Sequence, residues 1–187
     1  GYDVSELRNK GRRLFLDIPG SGLEAVRAKA ADVITYVEHG VCDLGVVGKD
    51  TIMGHGGSFF EVADLGFGRC RFALAVKKGN DFYSGYAEKT VATKYPNVTR
   101  RYFAGKSMDV RVTKIEGSVE LAPLLALSDG IVDIVETGTT LRENGLEVQE
   151  EVADVSARLI VNPASLKMRK KELEPLIAAI EQAAGQP

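Results

Sequence analysis

Short apolar runs alternate with amphipathic stretches along this chain, and this alternation constrains the fold more than any other feature. A short apolar run suits a buried strand, whereas apolar residues three or four positions apart suit a helix with one buried face. The alternation therefore predicts an α/β fold. The predicted strands are 13–17, 44–47, 72–76, 90–93, 110–115, 131–135 and 158–161. The predicted helices are 31–39, 97–104, 119–127, 139–144 and 164–183.

Two polar segments indicate where the chain passes between two parts of the fold. Residues 77–81 are polar and contain glycine, and a second polar run, 147–154, precedes the last predicted strand. Two such crossings predict a discontinuous first lobe, residues 1–80 plus 158–187, and an inserted second lobe, residues 81–157. A pair of lobes of this kind binds its ligand in the cleft between them.

Glycine is frequent in the sequence, with 20 of 187 residues, against a usual share of roughly 7%. Glycine serves where a backbone turns tightly or approaches a ligand closely. Four glycines are therefore predicted to lie on turns that face the cleft: Gly45, Gly48, Gly117 and Gly138.

Composition excludes several classes of protein. The hydrophobic share of 44% excludes intrinsic disorder, because such a chain can bury enough apolar surface to offset its ordering entropy. A net charge of −2 with scattered basic residues does not suit duplex DNA, whose binding depends on neutralised phosphates. No apolar run approaches the roughly 20 residues of a spanning helix. We expect neither a nucleic-acid nor a membrane partner, and the absence of a signal-peptide pattern at residue 1 predicts the cytoplasm.

Cysteine and histidine are too few for most sites built from them. Cys42 and Cys70 lie 28 positions apart, and His39 and His55 are the only histidines. This number excludes a zinc site of the usual spacing and makes a histidine-based triad improbable. Any metal would be a hard cation on oxygen ligands, brought in with a phosphate substrate.

The segment 131–141 carries the most chemical information. An apolar strand, 131–135, is followed by the acidic Glu136, and the turn Thr137-Gly138-Thr139-Thr140 then leads into a short helix. Free backbone N–H groups and hydroxyls at such a turn suit a phosphate monoester, but Thr and Gly are also common in an ordinary helix cap. From the residues alone the two interpretations are equally good. Asp133, near the end of the strand, is placed to accept hydrogen bonds from sugar hydroxyls.

Glu120 together with residues 131–146 resembles the phosphoribosyl-pyrophosphate site of the ATP phosphoribosyltransferase family. The resemblance continues through residues 32–50, 64–71, 92–97 and 157–166 and so covers nearly the whole chain. It implies a two-lobed, periplasmic-binding-protein-like (type II) fold with the active site in the inter-lobe cleft. It also implies the activity: ATP and phosphoribosyl pyrophosphate condense through adenine N1 to give phosphoribosyl-ATP and pyrophosphate, in the first step of histidine biosynthesis.

The same resemblance implies roles for individual residues. The turn 137–140 would hold the 5-phosphate, and Glu120 and Asp133 would bind ribose hydroxyls directly or through Mg²⁺ carried by the pyrophosphate. Arg12 or Arg13 would face the pyrophosphate or the ATP phosphates. The remaining implied substrate contacts come from Tyr95, against the adenine, and from Gly48 and Lys49 on the first lobe. The implied catalytic residues are Arg12, Arg13 and Asp133, and no protein metal ligand is implied. The full set of implied substrate-binding residues is Glu120, Asp133, Glu136, Thr137, Gly138, Thr139, Thr140, Leu141, Tyr95, Gly48 and Lys49.

Ordinary structural roles are open for several of these residues. Tyr95, before Pro96, suits hinge packing as well as it suits adenine binding. Arg12 and Arg13 suit a solvated strand entry. Asp50 suits a helix or turn cap.

The sequence departs from the family pattern at two places. Ala126 stands where the family has glycine, and because the predicted helix 119–127 includes this position, we expect alanine to be tolerated. The family also begins with a strand and a Lys-Gly-Arg loop, of which nothing is seen ahead of Gly1; that loop contributes to the family's nucleotide site.

The resemblance is to the short form of the family, which works with a regulatory subunit similar to histidyl-tRNA synthetase. It therefore implies a homodimer that assembles with such a subunit. The alternative is a non-enzymatic two-lobed module that binds a small anion or solute, since fold alone does not choose between the two. Such a module would not need Glu120 and Asp133 beside a threonine-rich phosphate turn.

Overall fold

A computed structural model describes residues 2–9 and 11–185. Gly1, Lys10, Gln186 and Pro187, which the predicted first lobe includes, lie outside the described residues. The strands are β1 Phe15–Ile18, β2 Leu23–Val26, β3 Leu44–Gly48, β4 Phe60–Asp64, β5 Cys70–Lys77, β6 Lys89–Thr93, β7 Val110–Lys114, β8 Gly130–Val135, β9 Leu146–Val155 and β10 Ala157–Val161. The helices are α1 Ser5–Arg8, α2 Ala30–Glu38, α3 Lys49–His55, α4 Pro96–Gly105, α5 Leu121–Leu124, α6 Thr139–Glu143, α7 Pro163–Met168 and α8 Lys170–Ala184.

The strands form three sheets. A five-stranded sheet has the order β7-β6-β8-β5-β9, a three-stranded sheet has the order β3-β10-β4, and β1 and β2 form a separate hairpin. β6 runs parallel to both β7 and β8, whereas β5 is antiparallel to β8 and β9. Helices alternate with the strands, so the α/β prediction is confirmed.

The five-stranded sheet is built on β5, whose residues Phe72 to Val76 are at most 1% exposed. Both faces of this strand are covered, which explains why its sequence is a continuous apolar run instead of an alternating one. Phe72, Leu74 and Val76 pack with Val98 and Phe103 of α4 on one face. On the other face Ala73 and Ala75 pack with Ala122 of α5 and Leu141 of α6. The small alanines allow these short helices to lie close to the sheet.

The three-stranded sheet is also covered on both faces. Leu173 and Ile177 of α8 pack on Leu159 and Val161, while α2 packs Ile34 and Val37 against Val47 and Ile160.

Gly45 lies within β3, on the face of the three-stranded sheet that α2 covers. The prediction that it lies on a turn facing the cleft is therefore wrong. A Cβ at this position would lie 2.6 Å from Val33 Cγ1 and 2.8 Å from Val37 Cγ2. These distances are far below ordinary contact, so the glycine is needed for the close approach of α2 to β3.

The chain passes between the two larger sheets at two places. Residues 65–69 connect β4 to β5, and Ser156 connects β9 to β10. The predicted first lobe includes 70–77, but this segment pairs with β8 and β9 of the five-stranded sheet. The polar segment after β5 is a surface turn at the end of a strand, and composition does not distinguish such a turn from a crossing.

β9 occupies the polar run that the sequence analysis treated as a connection. Eight of its ten residues pair with β5 along the whole length of that strand, and the register shifts at two places. β9 lies at the edge of the sheet, where one side of a strand meets solvent and charged side chains are tolerated. The strand is therefore specified by its pairing with β5, and not by its own apolar pattern.

The last predicted helix is two helices in the structure. α7 begins after Asn162, whose side chain accepts a hydrogen bond from the Ser165 N–H, and Arg169 separates α7 from α8. Within residues 2–9 and 11–185 there is no helix with the length and apolarity needed to cross a membrane.

Ala126 lies outside a helix, in contrast to the prediction. α5 ends at Leu124, and Ala126 adopts a left-handed backbone conformation with φ of 57°. This conformation costs a non-glycine residue on the order of 1 kcal/mol. The glycine of the family pattern thus suits this turn better than alanine does.

We expect Ala126→Gly to raise the free energy of unfolding by about 0.5–1 kcal/mol, because glycine relieves the positive φ while its greater freedom in the unfolded chain offsets part of the gain. Urea denaturation measures this change. Ala104→Gly, on exposed helical backbone of α4, is the matched control and should lower stability by about 1 kcal/mol. A loss of stability in Ala126→Gly would contradict the prediction.

Candidate functional site

The carboxyl ends of three parallel strands meet at one edge of the five-stranded sheet. β6, β7 and β8 end there at Thr93, Lys114 and Val135. The segments that follow these strands carry Tyr95, Glu120 and the 136–140 turn, respectively. Ligands of open α/β sheets bind outside the carboxyl ends of strands. The edge is therefore the place where the predicted residues can act together.

Asp133 and Glu120 bring two carboxylates to this edge. Asp133 is half-buried in β8, and burial is the main cause that raises the pKa of its carboxyl, with a further contribution from the charge of Glu120. The Ile134 N–H and the positive charge of Lys94 oppose the rise. A partly desolvated carboxylate with a second carboxylate and a lysine nearby is suited to bind hydroxyls or a cation.

The 137–140 turn follows β8 directly. Gly138 adopts a left-handed conformation, with φ of 72°, and precedes the five-residue helix α6. The first N–H groups of a helix have no backbone acceptor within it. That of Thr139 is directed at Thr137 Oγ1 over a long 3.4 Å, and those that follow can be met by a ligand at this turn. The hydroxyl oxygens of Thr137 and Thr139 lie 3.0 Å apart. The turn thus offers N–H and hydroxyl donors together.

Arg142, which was not predicted as a site residue, hydrogen-bonds to two residues of the 137–140 turn. Arg142 Nη1 donates to the Thr137 carbonyl over 3.0 Å, and Nη2 donates to Thr139 Oγ1 over 3.0 Å.

Tyr95 connects this edge of the five-stranded sheet to the first lobe, which is built on the three-stranded sheet. Its hydroxyl lies 3.5 Å from Asp50 Oδ2, at the limit of a hydrogen bond. A second bond nearby joins Asn97 Nδ2 of α4 to the Gly54 carbonyl of α3 over 2.8 Å. The ring of Tyr95 packs edge-on against Phe72, with ring centroids 4.8 Å apart. Tyr95 therefore packs between the two lobes, and both its hinge role and its adenine contact stay predictions.

The phenol of Tyr95 resists ionisation. Burial first, and then the charges of Asp50 and Asp133, raise its pKa to about 12. Tyr95 therefore stays a neutral donor throughout the physiological pH range. A neutral hydroxyl between two carboxylates can donate to one of them without adding charge.

Gly48 shapes the first-lobe side of the site. The Asp50 carboxylate folds back so closely that a Cβ at position 48 would lie 2.1 Å from Asp50 Oδ1. Glycine at the end of β3 is therefore what allows Asp50 to occupy this position. Lys49, in contrast, turns its amine away to Glu61 Oε2, at 2.5 Å.

Two members of the predicted turn differ in exposure. Leu141 is 5% exposed and packs in the core below the sheet edge, so only its backbone can meet a ligand. Glu136 is exposed, and its charge contributes to the raised pKa of the Cys70 thiol after burial and the charge of Asp50.

Arg12 and Arg13 precede the β1–β2 hairpin and are exposed. Arg13 pairs with Glu6 of α1 over 2.5 Å and also donates to the Asn9 carbonyl. In the described parts of the chain, neither arginine is hydrogen-bonded or ion-paired to the 137–140 turn. The structure does not bring them together with Asp133, and their role stays a prediction.

Other parts of the described chain are less suited to a functional site than this edge. A cavity of about 620 Å³ lies among Lys77, Lys89 and Asp129, where β6 and β8 begin; this is the opposite edge of the sheet, and no predicted site residue lines it. The residues that the structure describes contain no cluster of three or more histidine, cysteine or acidic side chains that could hold a metal. Burial is the main cause of a raised pKa in both free cysteines, Cys42 and Cys70, so neither is an activated thiolate.

Sequence reasoning missed two residues at this edge: Lys94 was given no role, and Arg142 was not singled out. Arg142 gives no local signal in the sequence, because its contacts depend on the fold of the turn.

Comparisons with known proteins show the family to which this chain is similar. The sequence model of the HisG family, described as ATP phosphoribosyltransferase, matches residues 29–182. An ATP phosphoribosyltransferase of Clostridium kluyveri is 55% identical over 181 residues, which cover 97% of this chain and 83% of that protein. Among solved structures, the ATP phosphoribosyl transferase (HisG:HisZ) complex from Thermotoga maritima matches with 34% identity and a TM-score of 0.79, over 93% of this chain and 85% of that one.

A second solved structure is similar in fold alone. The periplasmic aliphatic sulphonate binding protein SsuA from Escherichia coli matches with a TM-score of 0.58 at 12% identity, over 86% of this chain and 58% of that one. The chain thus has a two-lobed, periplasmic-binding-protein-like (type II) fold, as predicted.

Proposed function

The chain belongs to the ATP phosphoribosyltransferase family, and we propose that it works at the edge where β6, β7 and β8 end. It is a pentosyltransferase: it condenses ATP with 5-phosphoribosyl 1-pyrophosphate to give phosphoribosyl-ATP and pyrophosphate, in the first step of histidine biosynthesis. The enzyme is favoured over a non-enzymatic solute-binding module by this family membership. The observation that carries the site is the convergence of the 137–140 turn with Asp133 and Glu120.

The 137–140 turn is proposed to hold the 5-phosphate. A phosphate monoester needs several donors directed at one point, and the turn supplies the first N–H groups of α6 with the hydroxyls of Thr137, Thr139 and Thr140. α6 has only five residues, so local N–H groups contribute more than a helix dipole does. Gly138 allows the tight backbone that brings these donors together.

Asp133 and Glu120 are proposed to bind the ribose hydroxyls. In the reaction adenine N1 forms a bond to ribose C1 while the bond from C1 to the pyrophosphate oxygen breaks, so positive charge develops on the sugar ring. Carboxylates fixed near the ring stabilise that charge, and they hold C1 in line with the attacking nitrogen. Asp133 is the stronger candidate because it is partly desolvated.

Magnesium is proposed to arrive with the substrate pyrophosphate. Glu120 and Asp133 supply carboxylate oxygens, which suit Mg²⁺, but they are two groups and not a full ligand set. When bound, the ion neutralises charge on the leaving pyrophosphate. Arg12 or Arg13 is proposed to add positive charge there, which requires the hairpin to approach the cleft.

The ATP side is proposed to be formed by Tyr95 with Gly48 and Lys49. Tyr95 presents a partly buried ring beside Asp50, and Gly48 allows the Asp50 carboxylate to lie against the end of β3. Because both lobes contribute, closure would exclude water, which otherwise competes with adenine for C1.

Pyrophosphate release from ATP plus phosphoribosyl pyrophosphate tests the proposed site. We expect Thr140→Ala to raise the KM for phosphoribosyl pyrophosphate about 10-fold, the effect of about 1.4 kcal/mol from one lost phosphate hydrogen bond. The KM for ATP should stay within about twofold. Thr35→Ala, an exposed threonine of α2, is the control. If Thr140→Ala behaves like Thr35→Ala, the phosphate lies elsewhere.

A regulatory partner similar to HisZ is also proposed, together with a homodimer of this chain. The Thermotoga maritima match is a HisG:HisZ complex. Four leucines around α5 are 42% to 74% exposed: Leu121, Leu124, Leu125 and Leu127. Exposed apolar side chains that lie close together are typical of a surface that another protein covers. Running the pyrophosphate assay with and without such a subunit tests the dependence. We place the enzyme in the cytoplasm, where ATP is available.

A further inference from the structure

We propose that Arg142 is the positioning residue of the phosphate turn: its guanidinium fixes the carbonyl of Thr137 and the hydroxyl of Thr139, so that the N–H groups of the turn are ordered for phosphate before it binds. This inference rests on the proposed role of the 137–140 turn. Arg142 itself was assigned no function by the sequence analysis.

The contacts of Arg142 join two residues of the turn that lie on either side of Gly138. Nη1 and Nη2, the two arms of one rigid planar group, each make a 3.0 Å bond, one to Thr137 O and one to Thr139 Oγ1. Thr139 Oγ1 lies in turn 3.0 Å from Thr137 Oγ1. Both anchor points flank Gly138, so the guanidinium spans the residue with the least conformational restriction.

Packing does not hold the turn on this side. A cavity of about 230 Å³ borders Thr137 and Gly138 and extends to Arg71 and Val148. The Thr137 and Thr139 side chains are exposed. A turn with glycine at its centre and a cavity beside it loses considerable entropy when it orders around a ligand. The two bonds from Arg142 reduce that cost in advance.

The charge of Arg142 is also uncompensated. Within the parts of the chain that the structure describes, no carboxylate lies within 4.0 Å of its guanidinium nitrogens. The positive charge therefore remains available to a phosphate dianion at the turn. Long-range attraction of the phosphate would need only a positive charge. The positioning role needs the planar guanidinium, because two separate nitrogens make the two bonds.

Arg142→Lys and Arg142→Gln separate these two roles. Lysine keeps the charge but presents a single nitrogen, so positioning predicts that both variants raise the KM for phosphoribosyl pyrophosphate about 10-fold while kcat and the KM for ATP stay within about twofold. The inhibition constant of inorganic phosphate, measured against phosphoribosyl pyrophosphate, should rise by a similar factor. Arg101→Gln, an exposed arginine of α4, is the matched control.

A wild-type KM in Arg142→Lys overturns the proposal, because the charge alone would then suffice. A loss of kcat with an unchanged KM also overturns it, since it would indicate only a structural role. Thr140→Ala is measured in the same series. If Thr140→Ala raises the KM and Arg142→Lys does not, the positioning role fails and the phosphate site stands; if neither raises it, the phosphate site is misplaced as well.

Discussion

Replacing Asp133 with asparagine should lower kcat/KM for phosphoribosyl pyrophosphate about 100-fold, the equivalent of about 3 kcal/mol. Asparagine has nearly the same shape, but it lacks the negative charge and replaces one acceptor oxygen with a donor. The loss should fall on the step in which charge develops on the ribose, so both kcat and kcat/KM should decrease. Steady-state pyrophosphate release measures both constants.

Asp133 should also control the acid limb of the pH profile. Burial, with a further contribution from Glu120, raises the pKa of Asp133 above its ordinary value of 3.8. Since the ionised form is the one proposed to act, kcat/KM should fall as the pH decreases through this raised pKa. The Asp133→Asn variant should lack this part of the profile.

Stability should respond in the opposite direction. Between pH 3.8 and the raised pKa, the folded protein holds a proton on Asp133 that the unfolded chain has released. The contribution of this group to the free energy of unfolding therefore decreases as the pH rises through that window. At neutral pH the ionised carboxylate is a cost to the fold, so Asp133→Asn should melt no lower than the wild type.

Asp109→Asn is the matched control for this experiment, because Asp109 is exposed ahead of β7 at the other edge of the sheet. It should leave kcat/KM and the melting temperature unchanged. An Asp133→Asn variant that retains wild-type kcat/KM, or that loses activity only through unfolding, would contradict the assignment.

Phe72→Ala should lower the free energy of unfolding by about 3–5 kcal/mol, the usual cost of deleting a fully buried phenylalanine. Phe72 is 0% exposed and lies in β5, an interior strand of the five-stranded sheet, where it contacts the ring of Tyr95. This loss is a large share of the stability that a domain possesses. Urea denaturation measures it, and Phe72→Leu, with a smaller expected loss, provides a folded variant if alanine is too severe.

The control is another phenylalanine on a strand. Phe60 of β4 is 53% exposed, so Phe60→Ala should cost only about 0.5 kcal/mol. Equal losses in the two alanine variants would show that burial in this sheet does not determine the stability. Phe72→Leu should also raise the KM for ATP if Tyr95 contacts the adenine, because the ring of Tyr95 would lose its edge-on support.

The apolar runs identified two interior strands, because a strand that is covered on both faces is apolar at nearly every position. Phe72 to Val76 is such a run, and the run 131–135 is interrupted only by Asp133. Since β6 and β8 are parallel, their following segments meet at one edge. The main part of the candidate site, Asp133 and the turn at 137–140, was therefore predictable from local sequence.

Edge strands and turns were not predictable in this way. β9 has a polar sequence and exists because β5 offers it a full ladder of hydrogen bonds. Ala126 gives no local sign that it adopts a positive φ. The apolar residues of 119–127 suit a helix, but Leu121, Leu124, Leu125 and Leu127 remain exposed at the surface.

The α/β class, the family, the threonine-glycine turn and the two carboxylates follow from the amino-acid sequence alone, because each depends on residues that are adjacent or regularly spaced. The contact of Asp50 with Tyr95 across the cleft and the role of Gly45 in the packing of α2 follow only from the folded chain. The same holds for the pairing of Arg13 with Glu6 and for the bonds of Arg142 to the phosphate turn. Such contacts depend on how the chain brings distant atoms within hydrogen-bond distance, and no local pattern records that arrangement.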